Sequence, residues 1–241
     1  MVVPALRPVL DGPSGVSLVV TSGFYQVHLC QRRYSVLGRD RCTQLSKKTT
    51  TLLSALHGAE ALYCAGTATH SARVGLICGL LAETLGLSEP DVDAMRWVGM
   101  LHDIGKLAVR VEVLRKAGPL TSDEWEEVKK HPIVGSDLLL AFSPNLAAVA
   151  LGVRAHHERW DGSGYPDGRD GIDIPVFGRI VAISDVFDAL THKRGYRPGK
   201  FSHREAVEFV IEGANREFDP EIVRVFAELE RRGAIAQSGG P

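Results

Sequence analysis

Seven histidines and aspartates recur along this chain at near-regular intervals: His70, the pair His102-Asp103, His131, the pair His156-His157, and Asp185. The gaps are 32, 29, 25 and 28 residues, each about one helix plus a connection. The segments between them carry apolar residues at helical spacing. Leu45, Leu52, Leu53 and Leu56 mark a helix from about Gln44, and Val74, Ile77, Cys78 and Leu81 mark a second from about Thr67 to near Gly86. Ser88 reads as the N-cap of a third, through Met95, Val98, Leu101 and Ile104. Thr121 with Glu124 three residues on is a capping box. Further helices fit residues 133–142, 145–157, 175–192, 202–213 and 219–232. Successive helices of a bundle can each present one or two side chains to a common centre, which is how bundle cores build metal sites. Strand-like content is confined to VSLVVTSGFYQVHL at 16–29. The fold expected is all-α, with residues 1–45 as an irregular or strand-like extension, 46–232 as the domain and 233–241 as a flexible tail.

Composition narrows the partners. The chain has 241 residues, 44% apolar and 24% charged, and a formal net charge of −1. That is ample for one sizeable core and offers no basic platform for a nucleic-acid polymer. No uncharged apolar stretch approaches the length of a membrane span. Residues 1–15 lack a positive segment followed by an apolar run, so a cytoplasmic location is expected. Cys30, Cys42, Cys64 and Cys78 form no CxxC pair and read as reduced, small residues.

The stretch MLHDIGKL at 100–107 sets His102 and Asp103 among apolar neighbours. A buried charge is costly unless it is paired or holds a metal. A single core histidine is more often hydrogen-bonded than a ligand. Five of the nine histidines at helix intervals, two of them adjacent, favour ligation. Imidazole with carboxylate suits iron, manganese, nickel or zinc, and the lack of cysteine argues against a structural zinc. Asp103 has two oxygens with which to bridge two metals, and paired metals can generate hydroxide from water near neutral pH. His28, His57, His192 and His203 show no such context and read as structural or surface residues. The long irregular stretch 158–174, with a Trp and a Tyr to pack, reads as functional.

The motifs THSARV (69–74), LHDIGKL (101–107), HPIVGSDLL (131–139), AHHERWDGSGYPDG (155–168), IPVFGRIVAISDVFDALTHKRGYR (174–197) and REFDPEIVRVF (216–226) resemble, in order and spacing, those of HD-GYP domains. These are a subgroup of the HD phosphohydrolase superfamily. The resemblance covers roughly residues 45–230. It implies a five-helix HD core with C-terminal helices, and hydrolysis of cyclic di-GMP to linear pGpG, continuing in some members to GMP. It implies a centre of two or three divalent metal ions, often iron or manganese; the ligand count, with Gly66 where some three-metal relatives have Glu, favours two, and the donors also allow nickel or zinc. Carried over, the metal ligands are His70, His102, Asp103, His131, His156, His157 and Asp185. Asp103 and Lys106 are the catalytic pair, Lys106 also touching a substrate phosphate from the same side of the helix. In the signature loop, Gly162 and Gly164 allow positive φ and close backbone approach, while Gly164, Tyr165 and Pro166 line the substrate site. Asp188, Arg194 and Arg197 contact guanine and phosphates, although both arginines also read as exposed helix-end charges. Glu158 and Asp161 orient the His pair and the loop.

Other readings stand beside this one: another cyclic dinucleotide or a nucleotide as substrate, or a non-catalytic dinucleotide-binding module. A homodimer or a signalling partner protein fits either. Gly66 stands where some three-metal relatives have Glu, and Arg194-Gly195-Tyr196 replaces a common Arg-Pro-Tyr. No sensor module is recognisable in the first 45 residues.

Overall fold

The computed structural model describes residues 17–21, 24–28, 45–63, 67–192 and 201–235. Arg194, Arg197, Gly66, Cys30, Cys42 and Cys64 lie outside these, as does the expected tail beyond Ile235. The chain divides into two units, Met1–Ser35 and Val36–Pro241. In the first, β1 (Ser17–Thr21) and β2 (Phe24–His28) pair antiparallel, with Ser17 opposite His28 and Thr21 opposite Phe24. This is the strand-like stretch expected at 16–29.

The second unit is helical. Its elements are α1 (Lys47–Tyr63), α2 (Thr67–Thr84), α3 (Glu89–Leu101), α4 (Val111–Leu114), α5 (Ser122–Val128), α6 (His131–Phe142), α7 (Ala147–Ala155), α8 (Val176–Thr191), α9 (His203–Glu212) and α10 (Pro220–Arg231). Side-chain caps set several starts. Ser88 accepts from the Asp91 amide, and Thr121 with Glu124 forms the expected capping box. A second box, Ser202 with Glu205, opens α9.

Helices α2, α3, α6, α7 and α8 make a five-helix core. α2 packs on α3 and α8, α7 on α3, α6 and α8, and α1 covers α2 and α3. Val74, Leu81, Met95, Val98, Leu139, Val153, Phe177 and Ile180 are buried between them. α9 and α10 pack on α8, and Arg179 of α8 pairs with Asp219 before α10 at 2.6 Å.

The apolar period of 88–104 predicts one helix through Ile104. The structure ends α3 at Leu101 and turns Ile104–Ala108 into a tighter 3-10 helix. The reason is packing against α6. A Cβ on Gly105 would overlap the His131 carbonyl oxygen and lie 2.6 Å from the Gly135 amide nitrogen. With three residues per turn, positions i and i+3 eclipse. Lys106 therefore stands over Asp103, Nζ to Oδ2 at 2.6 Å. The lysine is on the side the sequence implies, placed there by a different helix. α7 is likewise shorter than 145–157, with Pro144–Leu146 a 3-10 turn and the His pair just past its end.

Candidate metal centre

The core helices bring their polar ends to one place. His70 lies on α2, His102 and Asp103 follow α3, His131 opens α6, His156 and His157 follow α7, and Asp185 lies on α8. His70, His102 and Asp103 each offer a ligand atom within 4.8 Å of the others, and His131, His156 and His157 do the same. Asp103 links the two groups. Its Oδ2 lies 3.4 Å from His102 Nε2 and its Oδ1 3.3 Å from His131 Nε2. Asp185 Oδ1 sits 3.1 Å from His70 Nε2 and 3.7 Å from His102 Nε2.

Local helix geometry fixes the imidazoles. Nδ1 of His102, His131 and His156 each donates to the carbonyl three residues back: Gly99 at 2.8 Å, Val128 at 2.7 Å and Val153 at 2.6 Å. Each bond sets the tautomer, so in the neutral ring the Nε2 lone pair faces the centre. The His131 and His156 Nε2 atoms then stand 3.2 Å apart, lone pair to lone pair, and the buried His102 Nε2 has no hydrogen-bond partner. Buried polar atoms left this way call for a missing ion or water. A divalent cation fits the donor set.

The electrostatics agree. Burial, then the neighbouring imidazoles, hold His156 well below the usual histidine range, and burial with His131 brings His157 to about 3. Burial opposes ionisation of Asp103, but Lys106 and His102 hold its carboxyl well below the normal value. Asp185 is held low against burial by His70 and His102. Ionised carboxylates beside neutral imidazoles are what a metal requires of its ligands. Burial opposes charge on His102, while Asp103 and Asp185 raise its pKa to about 9 in the metal-free protein.

Asp188 does not sit as a substrate contact would. It is 1% exposed. Its Oδ2 is 2.6 Å from His70 Nδ1, and Arg73 donates to both oxygens at 2.5 and 2.8 Å. Both oxygens are taken, so this carboxylate faces the back of His70 rather than a ligand. Such outer partners orient a metal-binding imidazole and are worth about 10–100-fold in metal affinity. Asp188→Asn is therefore expected to weaken metal binding by about that factor. Competition against a fluorescent chelator measures it, and unchanged affinity would contradict the role.

The 158–174 loop is tied down as its length suggests. Glu158 is buried and accepts the Asp167 and Arg169 amides at 2.7 and 3.1 Å, while Asp161 accepts the Ser163 amide and hydroxyl at 3.0 and 2.6 Å. The two glycines divide their tasks. Gly162 has φ +78°, whereas Gly164 lacks positive φ and is needed for space. A Cβ there would meet Arg159 N and lie 2.6 Å from Glu158 Cα and from the His157 carbonyl. This close turn lays Tyr165 on His157, ring centroids 4.7 Å apart and 27° from parallel. Pro166 follows it through a cis bond.

Two residues escaped the sequence reading. Arg73 lies inside THSARV, one turn from His70, and only the fold shows that it reaches α8. Glu60 of α1 is 1% exposed, and neither carboxylate oxygen has a hydrogen-bond partner. Burial, then the Asp103 charge, raises its pKa from 4.5 to about 7. The folded metal-free protein thus keeps a proton that the unfolded chain releases, and stability falls as pH rises from 4.5 to about 7. Glu60→Gln has no such proton to lose. Relative to the parent it should gain about 3 kcal/mol across that window. Urea unfolding of both proteins without metal at pH 5 and pH 8 tests this, and equal differences at the two pH values would refute it.

Fold and donor set together define a helical scaffold with clusters that could hold metal ions. The chain matches the HD domain family over residues 41–222 and belongs to it. The 3′3′-cGAMP-specific phosphodiesterase 2 of Vibrio cholerae is 40% identical over 163 residues, 67% of this chain and 31% of that protein. The cyclic di-GMP phosphodiesterase response regulator RpfG of Xanthomonas campestris pv. campestris is 43% identical over 171 residues, 69% of this chain and 45% of that protein. The chain thus spans 31% and 45% of these relatives' length. The crystal structure of a cyclic GMP-AMP-specific phosphodiesterase of V. cholerae, V-cGAP3, aligns with TM-score 0.60 at 23% identity, over 79% of this chain and 50% of that one, a likeness of fold. Among the described residues no helix is long and apolar enough to cross a membrane.

Proposed function

We propose that this chain is a metal-dependent phosphodiesterase that opens a cyclic dinucleotide, with cyclic di-GMP as the first candidate substrate. The observation that carries the reading is Asp103, one carboxylate facing both His groups. His70, His102, Asp103 and Asp185 would hold one ion and Asp103, His131, His156 and His157 the other, with iron or manganese favoured. Bound there, such ions supply a hydroxide from water and offset charge on the phosphoryl oxygens.

The protein's own groups do the rest. Lys106, beside Asp103 at the edge of the centre, receives the phosphate and steadies its growing negative charge. Gly164, Tyr165 and Pro166 wall the pocket, and Arg194 and Arg197 are proposed to grip the second phosphate and a guanine edge. The water oxygen bonds to phosphorus, the bond to the 3′ oxygen breaks, and that oxygen leaves with a proton. The product is linear pGpG, lowering the level of a second messenger in the cell's interior.

The relatives named for 3′3′-cGAMP and for cyclic di-GMP support a cyclic purine dinucleotide and leave the choice of bases to experiment. Purified protein, loaded with one metal at a time under reducing, low-oxygen conditions, should convert cyclic di-GMP or 3′3′-cGAMP to the linear dinucleotide. Metal-loaded protein that binds either compound without turnover would favour a non-catalytic module, and protein that does neither would overturn the proposal.

A further inference from the structure

Trp125 is 46% exposed, unusual for the largest apolar side chain. It stands at the end of a line of rings leading out of the metal centre. His157 stacks on Tyr165, and Tyr165 meets Trp125 at 6.4 Å between centroids and 75° between planes. A T-shaped contact covers at most one face of the indole, which leaves a flat apolar surface open to solvent. Its position is firmly held. The α5 helix has the Thr121 capping box at one end, and Glu124 is pinned by Lys116 at 2.5 Å. At the other end, the Val128 carbonyl accepts from His131 Nδ1. The element that orients a proposed metal ligand therefore also carries the exposed indole.

From this we infer that Trp125 is a stacking platform for one purine base of the cyclic dinucleotide. The inference rests on the proposed substrate class and adds a binding residue for the base. With one phosphate at the metals, a base reaches outward by about the span of a sugar, along the direction His157, Tyr165 and Trp125 mark. Stacking on an aromatic face is sequence-tolerant, so the platform serves guanine and adenine alike, and specificity between them lies elsewhere.

The test uses the full metal-loaded chain with cyclic di-GMP and with 3′3′-cGAMP. Trp125→Ala should raise KM by about 10-fold or more, an effect typical of losing one aromatic-stacked base, with kcat much less affected. Trp125→Phe keeps a ring and should recover most of the affinity. The parent's tryptophan emission should be quenched on binding, and Trp125→Phe should lose most of that quench. Metal content and thermal unfolding of each variant show that the fold is kept. An unchanged KM in Trp125→Ala, or equal losses for Ala and Phe, would overturn the inference while leaving the phosphodiesterase reading intact. A metal-loaded parent that turns over neither dinucleotide would overturn both.

Discussion

Asp103→Ala is expected to abolish turnover while the protein stays folded. In the structure this one carboxylate faces His102 with one oxygen and His131 with the other, and it receives Lys106 at 2.6 Å. Asp185 faces His70 and His102 and also acts electrostatically on His157, but the contacts on both His131 and His102 are those of Asp103. Outer partners of metal ligands are worth about 10–100-fold, and a ligand shared by two ions should be worth more. A loss on the order of 1000-fold or greater is expected, about 4 kcal/mol of barrier. The fold should survive because the Lys106 side chain is partly exposed and can turn its ammonium to water. Metal content should fall with activity. A variant that keeps parental turnover with both ions bound would refute the shared-carboxylate centre.

Gly105→Ala should be among the most damaging single-methyl changes in the chain. The added carbon would overlap the His131 carbonyl oxygen, lie 2.6 Å from Gly135 N and approach the His131 carbonyl carbon to 2.8 Å. These are backbone atoms, so no rotamer change relieves the clash. Either the 108-end turn or the start of α6 must move, and α6 begins with His131. Overpacking of this kind costs about 3 kcal/mol. For a domain of this size that lowers Tm by roughly 6–12 °C. The same displacement should loosen the His131 group and weaken metal binding. Thermal unfolding with and without metal measures both effects. A parental Tm would mean that the 3-10 turn does not press against α6 as described.

The helical scaffold and the gathering of the seven His and Asp residues were legible in the sequence, because helix periodicity and the one-helix spacing are local signals. What joins elements was not. Asp188 has the same spacing signal as Asp185, three residues before it. Only the packing of α2 on α8 shows that it turns to His70 and Arg73, 118 and 115 residues away. Glu60 lies on the stripe of Leu53, seven residues on, and nothing in AEAL marks it as buried. Its burial depends on where α1 lands. Nothing in the sequence singles out Gly105, whose role is to admit the backbone of α6. The end of α3 was missed for a related reason: Ile104 keeps the apolar period while the backbone has already tightened. Of the substrate contacts expected, Asp188 is the one whose surroundings argue against the role, since both its oxygens are already engaged by protein.

Asp103 is proposed to join two ions in one centre. Seven side chains, one of them shared, would offer four protein ligands to each of two ions. Water and a substrate oxygen would take the positions left over. The direct measurement is metal stoichiometry by elemental analysis on protein loaded without oxygen and desalted, for the parent, Asp103→Ala and Glu60→Gln. Two ions per chain are expected in the parent, fewer than two in Asp103→Ala, and two in Glu60→Gln. A reproducible ratio near three in the parent, or two ions retained in Asp103→Ala, would contradict the proposal.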